Sequence, residues 1–226
     1  MKKKIGIFIF IVICSTVMLS DWIERIYIGR LAGLPGRYNS YVGIQKEQKD
    51  SIDMLVIGDS ESMTSISPME LWKSTGITSY VCGQSGQRIS ESYYMLKHAL
   101  DYQSPQVVLL ETNMLFRYTN TPDSLRSSIS DTAMYYFPVL QYHNLWKNIV
   151  NDQIPEGWQS YKGFAIRPGV APYSKGSYMK KTKKEKEIPQ INLWYLDKIR
   201  KLCEKNKIQL HPLKYTYYCA IPIDFF

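Results

Sequence analysis

Histidine and cysteine are both scarce: the chain of 226 residues holds three of the first and four of the second. Cys14, Cys82, Cys203 and Cys219 lie far apart and never in a C-x-x-C spacing, so neither a zinc site nor a disulfide framework is signalled. Two of them could pair in an oxidising compartment, while Cys82 and Cys203 also read as small buried residues on core elements. A P-loop is absent too, because Gly83-Gln84-Ser85-Gly86 lacks both the spacing and the lysine. No metal and no cofactor are therefore expected. Repeats and low-complexity tracts are missing as well, which leaves one globular domain plus a tail.

What is present is apolar and basic. Hydrophobic residues make up 45% of the chain, enough for a substantial core. The formal net charge of +8 favours anionic partners: nucleic acid, phospholipid or a wall polymer. The densest charge run, residues 180–186, has no aromatic residues between its lysines, so it reads as a solvated face and no nucleic-acid partner is expected.

Met1-Lys2-Lys3-Lys4 precedes an uncharged apolar segment, residues 5–20, which is the layout of a secretory n-region and h-region. The lysines should stay cytoplasmic and send the rest of the chain outward. The run is short for a full span of about 20 residues, and Trp22, Ile23, Ile26, Tyr27 and Ile28 extend it at the interface. Because no Ala-x-Ala-like cleavage site follows, residues 1–28 are expected to form an uncleaved membrane anchor, with secretion after cleavage as the alternative. Cys14 is no lipoprotein site, since Ile13 before it is too bulky. Residues 29–50 read as a connector, and the folded domain is expected over residues 51–226.

Within that domain, Met54-Leu55-Val56-Ile57 is a short continuous apolar run bounded by turn residues, as in a strand buried on both faces of a parallel sheet. Ser67-Pro68 caps a helix and Gly76 stops it. Residues 77–82 give a second strand, Ser90 caps a helix carrying Tyr93, Leu96 and Leu100, and Val107-Val108-Leu109-Leu110 gives a third strand. Residues 114–190 lose this rhythm and read as a long irregular insertion, apart from a helix over 142–150. Order returns with the stripe Tyr195, Leu196, Ile199, Leu202 and Cys203, and with a fourth strand at Ile208-Gln209-Leu210 that Pro212 interrupts. Alternating strands and helices predict a three-layer, flavodoxin-like α/β fold, helices on both faces of a parallel sheet, its chemistry at the carboxyl ends of the strands.

Three such ends carry Gly58-Asp59-Ser60, Gly83 and Asn113. Together they offer a hydroxyl nucleophile in Ser60 and oxyanion donors in the Gly83 N–H, the Ser60 N–H and the Asn113 amide. Asp59 is the turn residue that would orient Ser60, and Glu61 and Glu111 read as polar residues at strand mouths. The other reading is that Gly58-Asp59-Ser60 is only a strand-ending turn, since all three are ordinary turn residues.

On these residues the chain resembles the SGNH or GDSL hydrolases over residues 51–210. Gly58-Asp59-Ser60 matches the first block and Gly83 the second. Asn113 matches the third more loosely, because the family's Gly-x-Asn-Asp stands here as Glu111-Thr112-Asn113-Met114. The anchor, "GITSYVCGQSGQ" and "YKGFAIRPGVAPYS" are similar to membrane-anchored, envelope-facing bacterial members associated with O-acetylation or D-alanylation of surface polymers. The resemblance implies an extracytoplasmic esterase or acyltransferase acting on acyl esters of envelope carbohydrate. Its implied partners are the membrane, an envelope polysaccharide or anionic wall polymer, and a membrane-bound O-acyltransferase.

The family's fourth block, Asp-x-x-His, supplies the general base, and this chain has no such segment. Of the three histidines, His98 reads as a helix-surface residue and His143 as a residue without an evident partner. His211 is the remaining candidate base because it sits on a strand. The C-terminal part of the fold is therefore expected to be incomplete, as after a premature stop. A catalytically impaired accessory protein that binds envelope polymer or an acyltransferase partner is the competing expectation.

Overall fold

A five-residue apolar strand with no polar face has to be covered, and a four-stranded parallel sheet flanked by helices meets that need here. The computed structural model describes residues 2–30, 39–117, 121–141, 161–166 and 187–214. The strands are β1 Met54–Gly58, β2 Ser79–Gly83, β3 Val107–Glu111 and β4 Gln209–Leu213, in the order β2-β1-β3-β4. The pairing runs Leu55 with Tyr80 and with Val108, then Val108 with Leu210.

Alternate residues of β1, β2 and β3, namely Leu55 and Ile57, Tyr80 and Cys82, Val108 and Leu110, share one hydrophobic core. That core is closed by Met95, Leu96 and Ala99 of α5 (Ile89–Ala99) and by Tyr195, Leu196 and Ile199 of α8 (Gln190–Lys205). The fold is thus α/β, a parallel sheet flanked by helices. Pro212 lies inside β4 rather than ending it, opposite Leu110. Among the described residues β4 is an edge strand, where a proline nitrogen facing outward forfeits no ladder bond.

Two further expectations change. The connector assigned to residues 29–50 contains α2 (Asn39–Lys46), whose Ile44 is fully buried in the core. Ser40 Oγ donates to the Gly83 carbonyl at 2.9 Å. Folding against the sheet therefore begins before residue 51, and two turns were too short to show a period.

The insertion assigned to residues 114–190 is not irregular throughout. It contains a 3-10 turn (Asn113–Phe116), α6 (Thr121–Tyr136) and the short α7 (Pro138–Gln141). Apolar periodicity cannot reveal α6, because its buried face is polar: Ser124, Ser128 and Asp131 are buried while Leu125 and Ile129 are exposed. Asp131 accepts Arg88 Nε at 2.9 Å and also pairs with Arg88 Nη2 and the Ser90 hydroxyl, which ties α6 to the start of α5. Ser90 is thereby used between helices, and the N-cap of α5 lies two residues earlier, at Arg88, with Glu91 Oε2 accepting the Arg88 N–H at 2.8 Å. The helix expected over 142–150 lies outside the described residues.

The N-terminal segment is α1 (Lys2–Arg30), and its stretch Lys3–Ile23 is long and apolar enough to cross a membrane. Next, α3 (Ser60–Ser65) and α4 (Pro68–Thr75) fill the β1-to-β2 connection. Ser67 caps α4, and Gly76 ends it in the left-handed conformation at φ 75°.

Candidate functional site

In the order β2-β1-β3-β4, the direction of winding reverses between β1 and β3, and the carboxyl ends on either side of such a reversal are where open α/β sheets place their binding sites. Gly58 closes β1, Asp59 turns in an extended conformation, and Ser60 is the first residue of α3. Asp59 Oδ1 accepts the Glu61 N–H at 2.8 Å, a side-chain cap on the helix that carries Ser60. Asp59 Oδ2 is paired with Arg117 Nη2, at the end of the 3-10 turn after β3. Ser60 itself is half-buried, and its Oγ has no hydrogen-bond partner among the described residues.

Beneath this turn lies Glu111, the last residue of β3 and fully buried. Its Oε2 accepts the Asp59 N–H and the Ser62 hydroxyl, each at 2.7 Å. Burial pushes the Glu111 carboxyl up to about 7, against the opposing pull of those two donors. Ser62 touches a carboxylate but is fully buried, so the exposed hydroxyl of the turn is that of Ser60.

Both glycines of the pattern have packing reasons. A Cβ on Gly58 would lie 2.0 Å from Ser62 Oγ and 2.4 Å from Glu111 Oε2. On Gly83 it would lie 2.6 Å from Met63 Cγ and 3.1 Å from the Asp59 carbonyl oxygen. Bare Cα atoms thus let α3 sit against the ends of β1 and β2.

Asn113 starts the 3-10 turn and donates its amide to Glu61 Oε2 at 3.2 Å, while its Oδ1 is buried without a partner among the described residues. Ser60, Gly83 and Asn113 therefore stand at one end of the sheet. Glu61 links Asn113 to the helix of Ser60, and Met63 links that helix to Gly83. The Asn113 amide has two N–H groups, so one can point at an oxyanion while the other stays on Glu61.

The histidines lie elsewhere. His98 is in the last turn of α5, buried, with Nε2 at 3.0 Å from the Tyr41 carbonyl and 3.1 Å from the Gln45 amide nitrogen. The carbonyl can only accept and the amide nitrogen only donate, so which of the two bonds this nitrogen makes depends on its tautomer, and burial lowers the pKa of the ring. His98 is thus a buried packing residue, where a helix-surface position was expected. His211 is opposite Leu109, two positions before the end of β3, and its exposed imidazole lies 3.5 Å from Gln209 Oε1. His143 is outside the described residues. No described imidazole has a hydrogen bond to Ser60.

Asp59, Glu61 and Glu111 each place a carboxylate oxygen within 4.8 Å of the others. Their charge is already answered: Arg117 serves Asp59, the Asn113 amide serves Glu61, and Glu111 takes up a proton near neutrality. The set fits an arginine-anchored support for the turn better than a cation site. Arg117, Ser62 and Met63 carry no motif, and Glu111 is the part legible beforehand, as an acid closing a buried strand.

A second strap holds α3 from outside. The Ala165 N–H donates to the Met63 carbonyl at 2.8 Å, and the Lys162 carbonyl accepts the Val81 N–H at 2.9 Å on the β2 edge. Gly163 crosses that edge at φ 82°, where a Cβ would lie 1.9 Å from the Val81 carbonyl oxygen. Gly163→Ala is expected to cost about 2–4 kcal/mol, through left-handed strain and the clash. A thermal unfolding curve of the detergent-solubilised chain checks it, and an unchanged midpoint would show that the strap is not fixed there.

No family model, curated protein or solved structure matches this chain.

Proposed function

We propose that the chain is an SGNH-type serine esterase or acyltransferase, held by α1 at the outer face of the membrane and acting on acyl esters of envelope carbohydrate. The observation that carries this reading is the half-buried Ser60 hydroxyl, without a hydrogen-bond partner among the described residues, at the reversal point of the sheet, with Gly83 and Asn113 at the neighbouring strand ends. In this reading Ser60 Oγ bonds to the ester carbonyl carbon as its O–H bond breaks and the proton passes to solvent. The resulting oxyanion faces the N–H groups of Ser60 and Gly83 and the Asn113 amide. The C–O bond to the sugar then breaks, the leaving oxygen takes a proton, and water or a second sugar hydroxyl accepts the acyl group from the serine. Arg117 and Glu111 hold the turn that aims the nucleophile.

The competing reading is an accessory protein that keeps the site without turnover. It is favoured by the positions of His98 and His211, whose recorded partners are Tyr41, Gln45 and Gln209 rather than Ser60. A fluorophosphonate probe on the full chain in detergent separates the two. Labelling of the wild type that disappears in Ser60→Ala supports the enzyme. Equal labelling of both proteins removes Ser60 as the nucleophile, and an unlabelled wild type favours the accessory reading.

A further inference from the structure

A cleft of about 470 Å³ lies between the carboxyl-terminal half of α1 and the α5 and α6 helices. One wall is Val17, Ser20 and Asp21, residues of the same Lys3–Ile23 stretch that is apolar enough to span a membrane. The wall is fixed to the domain, because Ser20 is buried and its Oγ accepts the Val139 N–H of α7 at 3.3 Å. If α1 stays in the bilayer, the mouth of the cleft opens at headgroup depth, where tyrosines concentrate.

The opposite wall carries Lys97, Asp101, Tyr135 and Tyr136. Lys97 Nζ donates to the Tyr136 hydroxyl at 3.2 Å and lies 4.9 and 5.1 Å from the ring centres of Tyr135 and Tyr136. It has no carboxylate partner among the described residues. His98, at the floor, is engaged by the Tyr41 carbonyl and the Gln45 amide, and burial lowers its pKa, which leaves Lys97 as the cation of the cleft among the described residues. Asp101 is exposed, and its carboxylate has no partner among the described residues. Asp21, on the facing wall, is paired with Arg25 at 3.0 Å. A ligand with one negative and one positive end answers both unpaired charges, whereas a simple anion would meet Asp101 and Asp21 as it entered.

We propose that this cleft holds the headgroup of an amine-bearing membrane phospholipid, its phosphate on Lys97 and the Tyr136 hydroxyl and its ammonium on Asp101. The assignment is independent of Ser60 chemistry and rests on α1 being a retained anchor. Binding there fixes the orientation of the domain on the membrane surface through a second contact beside the anchor.

The test uses the full chain. Membranes are first washed with alkaline carbonate, and the protein is then taken into micelles with equal amounts of phosphatidylethanolamine and phosphatidylglycerol and examined by native mass spectrometry. The expected result is retention through the wash, preferential carriage of phosphatidylethanolamine, and about fivefold less of it in Lys97→Gln and in Asp101→Asn, the scale of one lost charged contact. Asp101 is exposed, so its variant folds even if the other does not. Release by carbonate overturns the anchor reading and this proposal with it. Retention with equal or greater carriage of phosphatidylglycerol, or with both variants unchanged, overturns the lipid site alone. Displacement of the lipid by an equal concentration of free phosphoethanolamine would also overturn it, since the ligand would then be soluble.

Discussion

Glu111→Ala is expected to destabilise the protein by about 3–5 kcal/mol, because it leaves two buried donors, the Asp59 N–H and the Ser62 hydroxyl, without their acceptor and opens a void under α3. Glu111→Gln keeps an oxygen for both donors and is expected to cost far less at neutral pH. The pair also separates shape from charge. The ordinary value for a glutamate is 4.5 and that of the folded Glu111 is about 7. Between those values the fold holds a proton that the unfolded chain has released. Its contribution is therefore most favourable below about pH 4.5 and is lost as pH rises through 7, by on the order of 3 kcal/mol. Thermal unfolding in detergent at pH 5 and pH 7.5 reads this directly. The wild type should lose stability relative to Glu111→Gln as pH rises. A constant difference between the two would mean that Glu111 is ionised at both pH values and that burial does not control it.

This carboxylate also shows where sequence reasoning reached and where it stopped. The strands were legible because burial on both faces leaves no polar residue to blur the run: Met54 to Ile57 and Val107 to Leu110 stand out without any periodicity. Ser67, Pro68 and Gly76 marked α4 at both ends because capping chemistry is local. Helix α6 was not legible, since serines and an aspartate face inward to meet Arg88 and Ser90, and that reason lies in another helix. The same holds for Arg117, which is 58 positions from the Asp59 it supports. Ser60, Gly83 and Asn113 were readable as strand-end residues because a parallel sheet collects strand ends at one edge. Their engagement with Glu61, Met63 and Asp59 was not, because it depends on how a six-residue helix docks. The histidines were the least legible, for a lone imidazole carries no local signal of its partner.

Gly58→Ala is expected to be the most damaging of the small substitutions at the site. The new Cβ would meet Ser62 Oγ at 2.0 Å, Glu111 Oε2 at 2.4 Å and Ser62 Cβ at 2.7 Å. Neither neighbour can retreat, since serine has no length to swing and Glu111 is locked by its two donors. Helix α3 must therefore lift off the end of β1, which costs about 2–4 kcal/mol and carries Ser60 away from the turn that aims it. Gly83→Ala meets Met63 Cγ at 2.6 Å and the Asp59 carbonyl oxygen at 3.1 Å, contacts less close than those at Gly58, so its cost should be smaller. Thermal unfolding should rank Gly58→Ala below Gly83→Ala and both below wild type. If the wild type reacts with the fluorophosphonate probe, Gly58→Ala should label more slowly even at temperatures where it stays folded. Adding Ser62→Gly to Gly58→Ala removes two of the three contacts and should recover part of the lost stability. A double variant no better than Gly58→Ala would place the strain on Glu111 alone, and an undisturbed Gly58→Ala would mean that α3 can shift without penalty.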